Sequence, residues 1–351
     1  MKFDEMNIEQ SVLTSLHKIN FYEPTPIQEE AIPLIKAGND IFGRAHTGSG
    51  KTGAFGIPIV EKSIPGDGVQ ALILEPTREL AKQVAGEMKK FSVKKRVKIT
   101  TVYGGTGYGP QIKGLKNADI VVGTPGRVID MIDKGHLRVD GIIMFVLDEA
   151  DKMIDMGFFD DIVTIATNMP KQRQTMLFSA TMPQKLKHIR KRFSKKAVVV
   201  ESKLKVDESA LKQYCYFIPY MKKFSLLLHL ISEEEPAKTI VFCNARKEAD
   251  DVAWNLRDNG INARSLHGGL PQNKREKIMK QFHGGSIDVL VATDVAARGL
   301  DIKKISHIFN YSIPLNADDY ANRIGRTARA GEEGIAISLI SRDDKEPFRK
   351  I

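Results

Sequence analysis

Short apolar runs recur along this chain, and each ends in a small or polar motif before a helical stretch begins. In the first part they lie at residues 41–45, 69–74, 97–103, 120–122, 142–147, 175–178 and 197–200; in the second, at 239–243, 288–292, 305–311 and 334–340. Runs this short and this continuously apolar read as strands buried on both faces of a parallel sheet. The segments between them carry helical spacing: Leu80, Val84, Met88 and Phe91 share one face, as do Ala249, Val252 and Leu256. The predicted class is therefore α/β, with two tandem doubly wound parallel-sheet domains. Such sheets hold ligands beyond the carboxyl ends of their strands, so the motifs closing each run are the candidate functional residues.

A chain of 351 residues is too long for one ordinary core and comfortable for two domains. The charged, weakly periodic stretch 201–211 separates the two series, giving domains at 1–203 and 211–351 with a linker at 204–210. Residues 3–37 read as mostly helical, broken at 21–28, where Thr25 is placed to cap a helix starting at Pro26. Residues 342–351 begin a final helix.

The segment Ala45, His46, Thr47, Gly48, Ser49, Gly50, Lys51 and Thr52 follows the first run and precedes a helix. A glycine-rich turn there points backbone N–H groups at an anion, and the helix adds its positive end. Lys51 reaches the β and γ phosphates and Thr52 offers its hydroxyl to magnesium. Ala45 stands where the strict pattern has glycine.

After the run 142–147 come Asp148, Glu149 and Asp151. Three carboxylates in four residues repel one another unless a cation or basic side chains neutralise them. A solvated acidic turn and a charged site are both open on this stretch alone.

The net charge of +10 permits a polyanion partner without establishing one. Two cysteines, Cys215 and Cys243, without metal-ligand spacing suit a reduced, intracellular setting and no zinc site. No apolar run reaches membrane-spanning length, so no membrane association and a cytoplasmic location are expected.

Taken in order, these motifs resemble those of the DEAD-box RNA helicases, which have two RecA-like domains. The resemblance runs from residue 3 to residue 331 through Phe21 and Gln28, 45–52, 76–81, Gly104 and Gly105, 124–127, 148–151, 179–181, Gln272 and Arg275, 293–301 and 323–329. It implies ATP and magnesium as cofactors. Phe21 would stack on adenine and Gln28 would pair with its edge, since an amide both accepts from N6 and donates to N7. Residues Ala45 to Thr52 would hold the phosphates, Thr52 and Asp148 the magnesium ion, and Asp301 the ribose. Lys51, Asp148 and Glu149 would be catalytic, Glu149 acting on the attacking water. Arg326 and Arg329 match arginine fingers, which touch the nucleotide from the second domain.

The resemblance also implies an RNA-binding set. In the first domain it comprises Pro76, Thr77, Arg78, Gly105, Thr124, Gly126 and Arg127; in the second, Gln272, Arg275, Thr293 and Asp294. Hydroxyls, glycine N–H groups and single arginines suit phosphates and 2′-hydroxyls, so little sequence specificity is expected. Asp151, Ser179, Thr181 and Asn322 would couple the nucleotide and RNA states. Asn20, His46, Ala245, Asn322 and Ala328 depart from the usual glycine, glutamine, threonine, histidine and glycine.

The implied activity is ATP-dependent RNA unwinding by a monomeric core, recruited by protein partners. The alternative is an ATP-gated RNA clamp or assembly platform with weak unwinding; a DNA-directed relative is disfavoured by the adenine motif.

Overall fold

The computed structural model describes residues 2–45, 48–194, 196–201, 211–234, 236–297, 305–327 and 333–351, except for the side chains of Gln272, Val295, Ala297 and Asp318. It divides into two compact units, Met1–Leu204 and Lys205–Ile351.

The first unit is built on strands β1 (Ile41–Arg44), β2 (Ala71–Leu74), β3 (Ile99–Val102), β4 (Ile120–Gly123), β5 (Met144–Leu147), β6 (Gln174–Ser179) and β7 (Val198–Glu201). They form one parallel sheet in the order β3-β4-β2-β5-β6-β1-β7. Alternation along each strand divides the core. Ala71, Ile73, Met144 and Val146 pack with the helices Gln10–His17, Pro26–Lys36, Lys51–Lys62 and Arg78–Phe91. Leu72, Leu74, Phe145 and Leu147 face the opposite layer, which includes Pro125–Asp133, Phe159–Asn168 and Gln184–Phe193.

The second unit holds β8 (Leu211–Phe217), β9 (Thr239–Cys243), β10 (Ala263–Leu266), β11 (Val289–Thr293), β12 (His307–Asn310) and β13 (Gly334–Ile340). This sheet is also parallel, in the order β10-β11-β9-β12-β13-β8. The protein thus consists of two parallel-sheet α/β domains.

The structure corrects the sequence reading in four places. Strands β8 and β10 are not among the runs read from the sequence, and both are sheet edges with a single neighbour. Only Leu211 of β8 is buried, and Arg264 and Ser265 occupy the middle of β10. The separating stretch 201–211 loses both ends, since Glu201 belongs to β7 and Leu211 to β8; the expected linker 204–210 lies outside the described residues. The run 142–147 is a strand only from Met144: Ile143 N and Met144 N both donate to Gln70 O, and Ile143 is left 48% exposed. Within 342–351 the helix is one short segment, Lys345–Phe348, next to a turn in which Asp344 pairs with buried Lys223 at 2.7 Å.

Candidate functional site

Gly48 and Gly50 adopt φ of +90° and +95°, the left-handed region a side chain resists, and Gly50 ends the turn as N-cap of the helix Lys51–Lys62. A Cβ on Gly50 would also lie 2.6 Å from both Gln28 Nε2 and Thr25 Oγ1. Those two side chains clamp the turn. Thr25 Oγ1 donates to Ser49 O and Gln28 Nε2 to Gly50 O, each at 2.8 Å, while Gln28 Oε1 accepts from Thr25 N at 2.9 Å. Thr25 and Gln28 form the capping box of the helix Pro26–Lys36, so that cap and the phosphate-type turn share residues. Ser49 Oγ is buried without a hydrogen-bond partner among the described residues, a donor left over in the turn. Ala45 is buried and its N donates to Ser179 O. Thr52 is half-buried in the first helical turn. His46 and Thr47 lie outside the described residues.

Phe21 is half-buried and packs between Phe3, at 5.0 Å, and Phe91, at 6.3 Å between ring centroids. Its ring is thereby tied to the core, with Gln28 1% exposed beside the turn.

At the end of β5 the acidic stretch is buried and neutralised by lysines. Lys51 Nζ lies 2.7 Å from Glu149 Oε1, 3.5 Å from Asp148 Oδ1 and 3.4 Å from Ala45 O. Lys152 Nζ reaches Glu149 Oε2 at 2.6 Å. Glu149 takes φ +49°, a left-handed bend that lets the chain leave the strand and enter the helix Ala150–Asp155. Burial works to raise the Glu149 carboxyl, but Lys152 and Lys51 overcome it and hold the group well below the ordinary range. Asp148 is raised, chiefly by burial, and its Oδ1 accepts from Glu149 N at 2.8 Å. Lys51 is held above its ordinary value: burial opposes the charge, and Asp148 and Glu149 more than restore it. Lys152 was not singled out from the sequence, although its spacing of three from Glu149 on a helix was visible.

Asp151 belongs to a separate ring of hydrogen bonds. Its Oδ2 accepts from Thr181 N and Thr181 Oγ1, both at 2.9 Å. Ser179 Oγ donates to Thr181 O at 2.6 Å and accepts from Asp151 N at 3.3 Å. The end of β6 is thus fastened to the helix that carries Asp151.

The RNA set of the first unit gathers at the carboxyl ends of the three neighbouring strands β3, β4 and β2. Pro76 is buried, and Thr77 caps the helix Arg78–Phe91 by accepting from Leu80 N at 3.3 Å. Gly105 has φ +72°, and a Cβ there would run into the Arg78 guanidinium that lies over it. Thr124 is the N-cap of the helix Pro125–Asp133, and Gly126 is exposed on its first turn. Arg127 stacks over Tyr108 at 4.2 Å and donates to Thr106 O. The phosphate-type turn therefore follows β1 and the acidic stretch follows β5, while the residues expected to hold RNA follow β2, β4 and β3.

In the second unit, Thr293 ends β11 and is buried, Asp294 follows it, and Arg275 lies in the helix Gln272–His283 after the neighbouring β10. Asp294 is engaged internally: its two oxygens accept from Arg323 Nε at 2.7 Å and Nη2 at 2.6 Å. Arg323 is 1% exposed and also donates to Asn310, Ser312 O and Asn244. Replacing Asp294 by Ala leaves that guanidinium buried without its anion and is expected to cost about 3–5 kcal/mol of second-unit stability. A denaturant titration that resolves the two units measures this, and an unchanged midpoint would refute it. Arg326 is buried just beyond the helix Ala317–Ile324, and Asn322 is half-buried within it. Asp301, Arg329 and the side chain of Gln272 lie outside the described residues.

Two parallel α/β units, the first with a phosphate-type turn beside a lysine-neutralised acidic stretch, match known families. Residues 25–189 match the DEAD/DEAH box helicase family, and residues 222–331 match the helicase conserved C-terminal domain. The chain is 45% identical over 342 residues to the ATP-dependent RNA helicase CshA of Listeria monocytogenes, covering 97% of this chain and 66% of that protein, a little under two thirds of its length. Among solved structures, it is similar to a DEAD box protein from the hyperthermophile Methanococcus jannaschii at 39% identity, covering 99% of this chain and 95% of that one, with a TM-score of 0.59. It is also similar to S. cerevisiae Dbp5 bound to RNA and ADP BeF3 at 31% identity, covering 99% and 90%, with a TM-score of 0.88. The chain belongs to the DEAD-box helicase family.

Proposed function

We propose that this chain is the ATP-hydrolysing, RNA-remodelling core of an ATP-dependent RNA helicase. One observation carries the reading: Lys51 Nζ sits between the carbonyl of Ala45 and the carboxylates of Asp148 and Glu149. A lysine placed there exchanges one anionic partner for another when a triphosphate arrives.

ATP would lie on the turn 45–52, with N–H groups from the start of the helix Lys51–Lys62 on its phosphates. The unpartnered Ser49 hydroxyl fits an anion there. Gln28 keeps one lone pair and one N–H beyond those it spends on Thr25 and Gly50. The amide that would read adenine therefore also holds the phosphate turn. Asp148 and Thr52 are oxygen donors of the hard kind magnesium takes, Asp148 through water. Bound magnesium supplies neutralisation of the β and γ phosphate charge.

Once Lys51 turns to the phosphates, Glu149 loses one of its two cations and becomes a better base. It accepts a proton from water as the water oxygen bonds to the γ-phosphorus and the bond to the β–γ bridging oxygen breaks, the electron pair leaving with ADP. Arg326 and Arg329 would neutralise the developing charge.

RNA is bound through its backbone by the strand-end residues of both units. ATP and RNA that each engage both units favour the same closed state, so each strengthens the other. Closure bends the strand and opens a short duplex. The Asp151–Thr181 bonds would carry this coupling with Asn322. The linker is placed at 204–210. The core is assigned to the cytoplasm, where its two free cysteines stay reduced.

Lys51→Ala is expected to abolish nucleotide binding, measured by titration with a fluorescent ATP analogue. Wild-type affinity in that variant would remove the basis of the reading.

A further inference from the structure

Glu75 follows β2 directly and is 0% exposed, yet neither of its carboxyl oxygens has a hydrogen-bond partner among the described residues. Its backbone is held in the ladder, with N donating to Gly123 O at 2.8 Å. Register places its side chain. Leu74 pairs with Leu147, and Asp148 N donates to Leu74 O at 3.1 Å. One residue further, Glu75 and Asp148 are lateral neighbours in adjacent parallel strands. Both lie on the face of Ile73 and Val146, the face packed by the helix that starts at Lys51. Burial pushes the Glu75 carboxyl well above its ordinary range, and Asp148 and Glu149 push it further, against Lys51 and Lys152.

A carboxyl without partners in a closed strand end is costly, roughly 1–3 kcal/mol or more for an orphaned buried polar group. An apolar side chain of the same volume would fill that space without the cost. Stability alone does not account for a glutamate here, whereas a hydrogen-bonding partner that arrives with the ligand does. Asp148 is the proposed magnesium residue, and magnesium keeps much of its water.

We infer that Glu75 is a positioning residue of the magnesium site, its carboxyl hydrogen-bonding the water of the ion that Asp148 holds. This rests on the magnesium–nucleotide reading of the site. The role is that of an outer partner that orients what the ligand binds, and losing such partners typically costs about 10–100-fold in metal affinity.

The test is the free magnesium concentration at which a fluorescent ADP analogue reaches half of its magnesium-dependent gain in affinity, read by fluorescence without turnover. Glu75→Met keeps volume and removes hydrogen bonding; it should raise that midpoint about tenfold or more. It should raise the melting temperature of the magnesium-free protein by about 2–4 °C. Glu75→Gln keeps hydrogen bonding and should hold the midpoint within about threefold of wild type, a partial rescue that mere filling of space does not predict. A Met midpoint equal to wild type, or a fall in its magnesium-free melting temperature, overturns the role of Glu75. A wild-type protein whose nucleotide affinity ignores magnesium overturns the reading of the site itself.

Discussion

Glu149→Gln is expected to lower RNA-stimulated ATP turnover by about 10²–10⁴-fold while nucleotide still binds. Glu149 is clasped by Lys51 at 2.7 Å and Lys152 at 2.6 Å, and these lysines hold its carboxyl well below the ordinary range. Under the proposed function a bound triphosphate would draw Lys51 away, so that basicity would appear only when there is something to hydrolyse. Glutamine matches the shape and cannot accept the proton. It also frees Lys51 from an ion pair, so affinity for ATP should hold or rise. Steady-state turnover with saturating single-stranded RNA, beside a binding titration, separates the two effects; near-wild-type turnover would remove Glu149 from the chemistry. The pair also sets a stability profile. A depressed carboxyl contributes stability that is present above its unfolded value, about 4.3, and is lost as pH falls through the lower folded value. The advantage of wild type over Glu149→Gln should therefore hold above about pH 4.3 and shrink as the pH falls below it.

Arg326→Ala is expected to cost about 10³–10⁵-fold in the same assay, the range of an arginine finger. The backbone that carries it is fixed from several sides. Arg326 N donates to Arg323 O at 3.1 Å, and Arg323 is anchored by Asp294, Asn244, Asn310 and Ser312. Thr327 Oγ1 donates to Ile305 O at 2.5 Å, pinning the segment on the other side. A frame this rigid serves a group that must be aimed. Lysine at position 326 should not rescue turnover, since it lacks the planar fork. Turnover within tenfold of wild type in the alanine variant would refute the assignment.

Most of the first unit was legible because its central strands β2, β4 and β5 are buried along their whole length and carry no charged residue. The edges of the second sheet were not: β8 presents Lys212 to Phe217 to solvent, and β10 has Arg264 and Ser265 in its middle. Such strands are fixed by their neighbours β13 and β11 rather than by their own pattern. At the site, the phosphate turn and the acidic stretch stood out because glycine and charge spacing carry their own physical reasons. Lys152, Glu75 and the Asp294–Arg323 pair did not, since each matters through what the fold brings beside it. Thr25 was read only as a cap, whereas its hydroxyl also holds the Ser49 carbonyl.

The central claim is that ATP use by this chain is coupled to opening RNA. Displacement of one strand from a short RNA duplex, followed with and without ATP under conditions of RNA-stimulated hydrolysis, tests it most directly. Displacement is expected with ATP, and none with Lys51→Ala. Vigorous RNA-stimulated hydrolysis that leaves the duplex intact would contradict it.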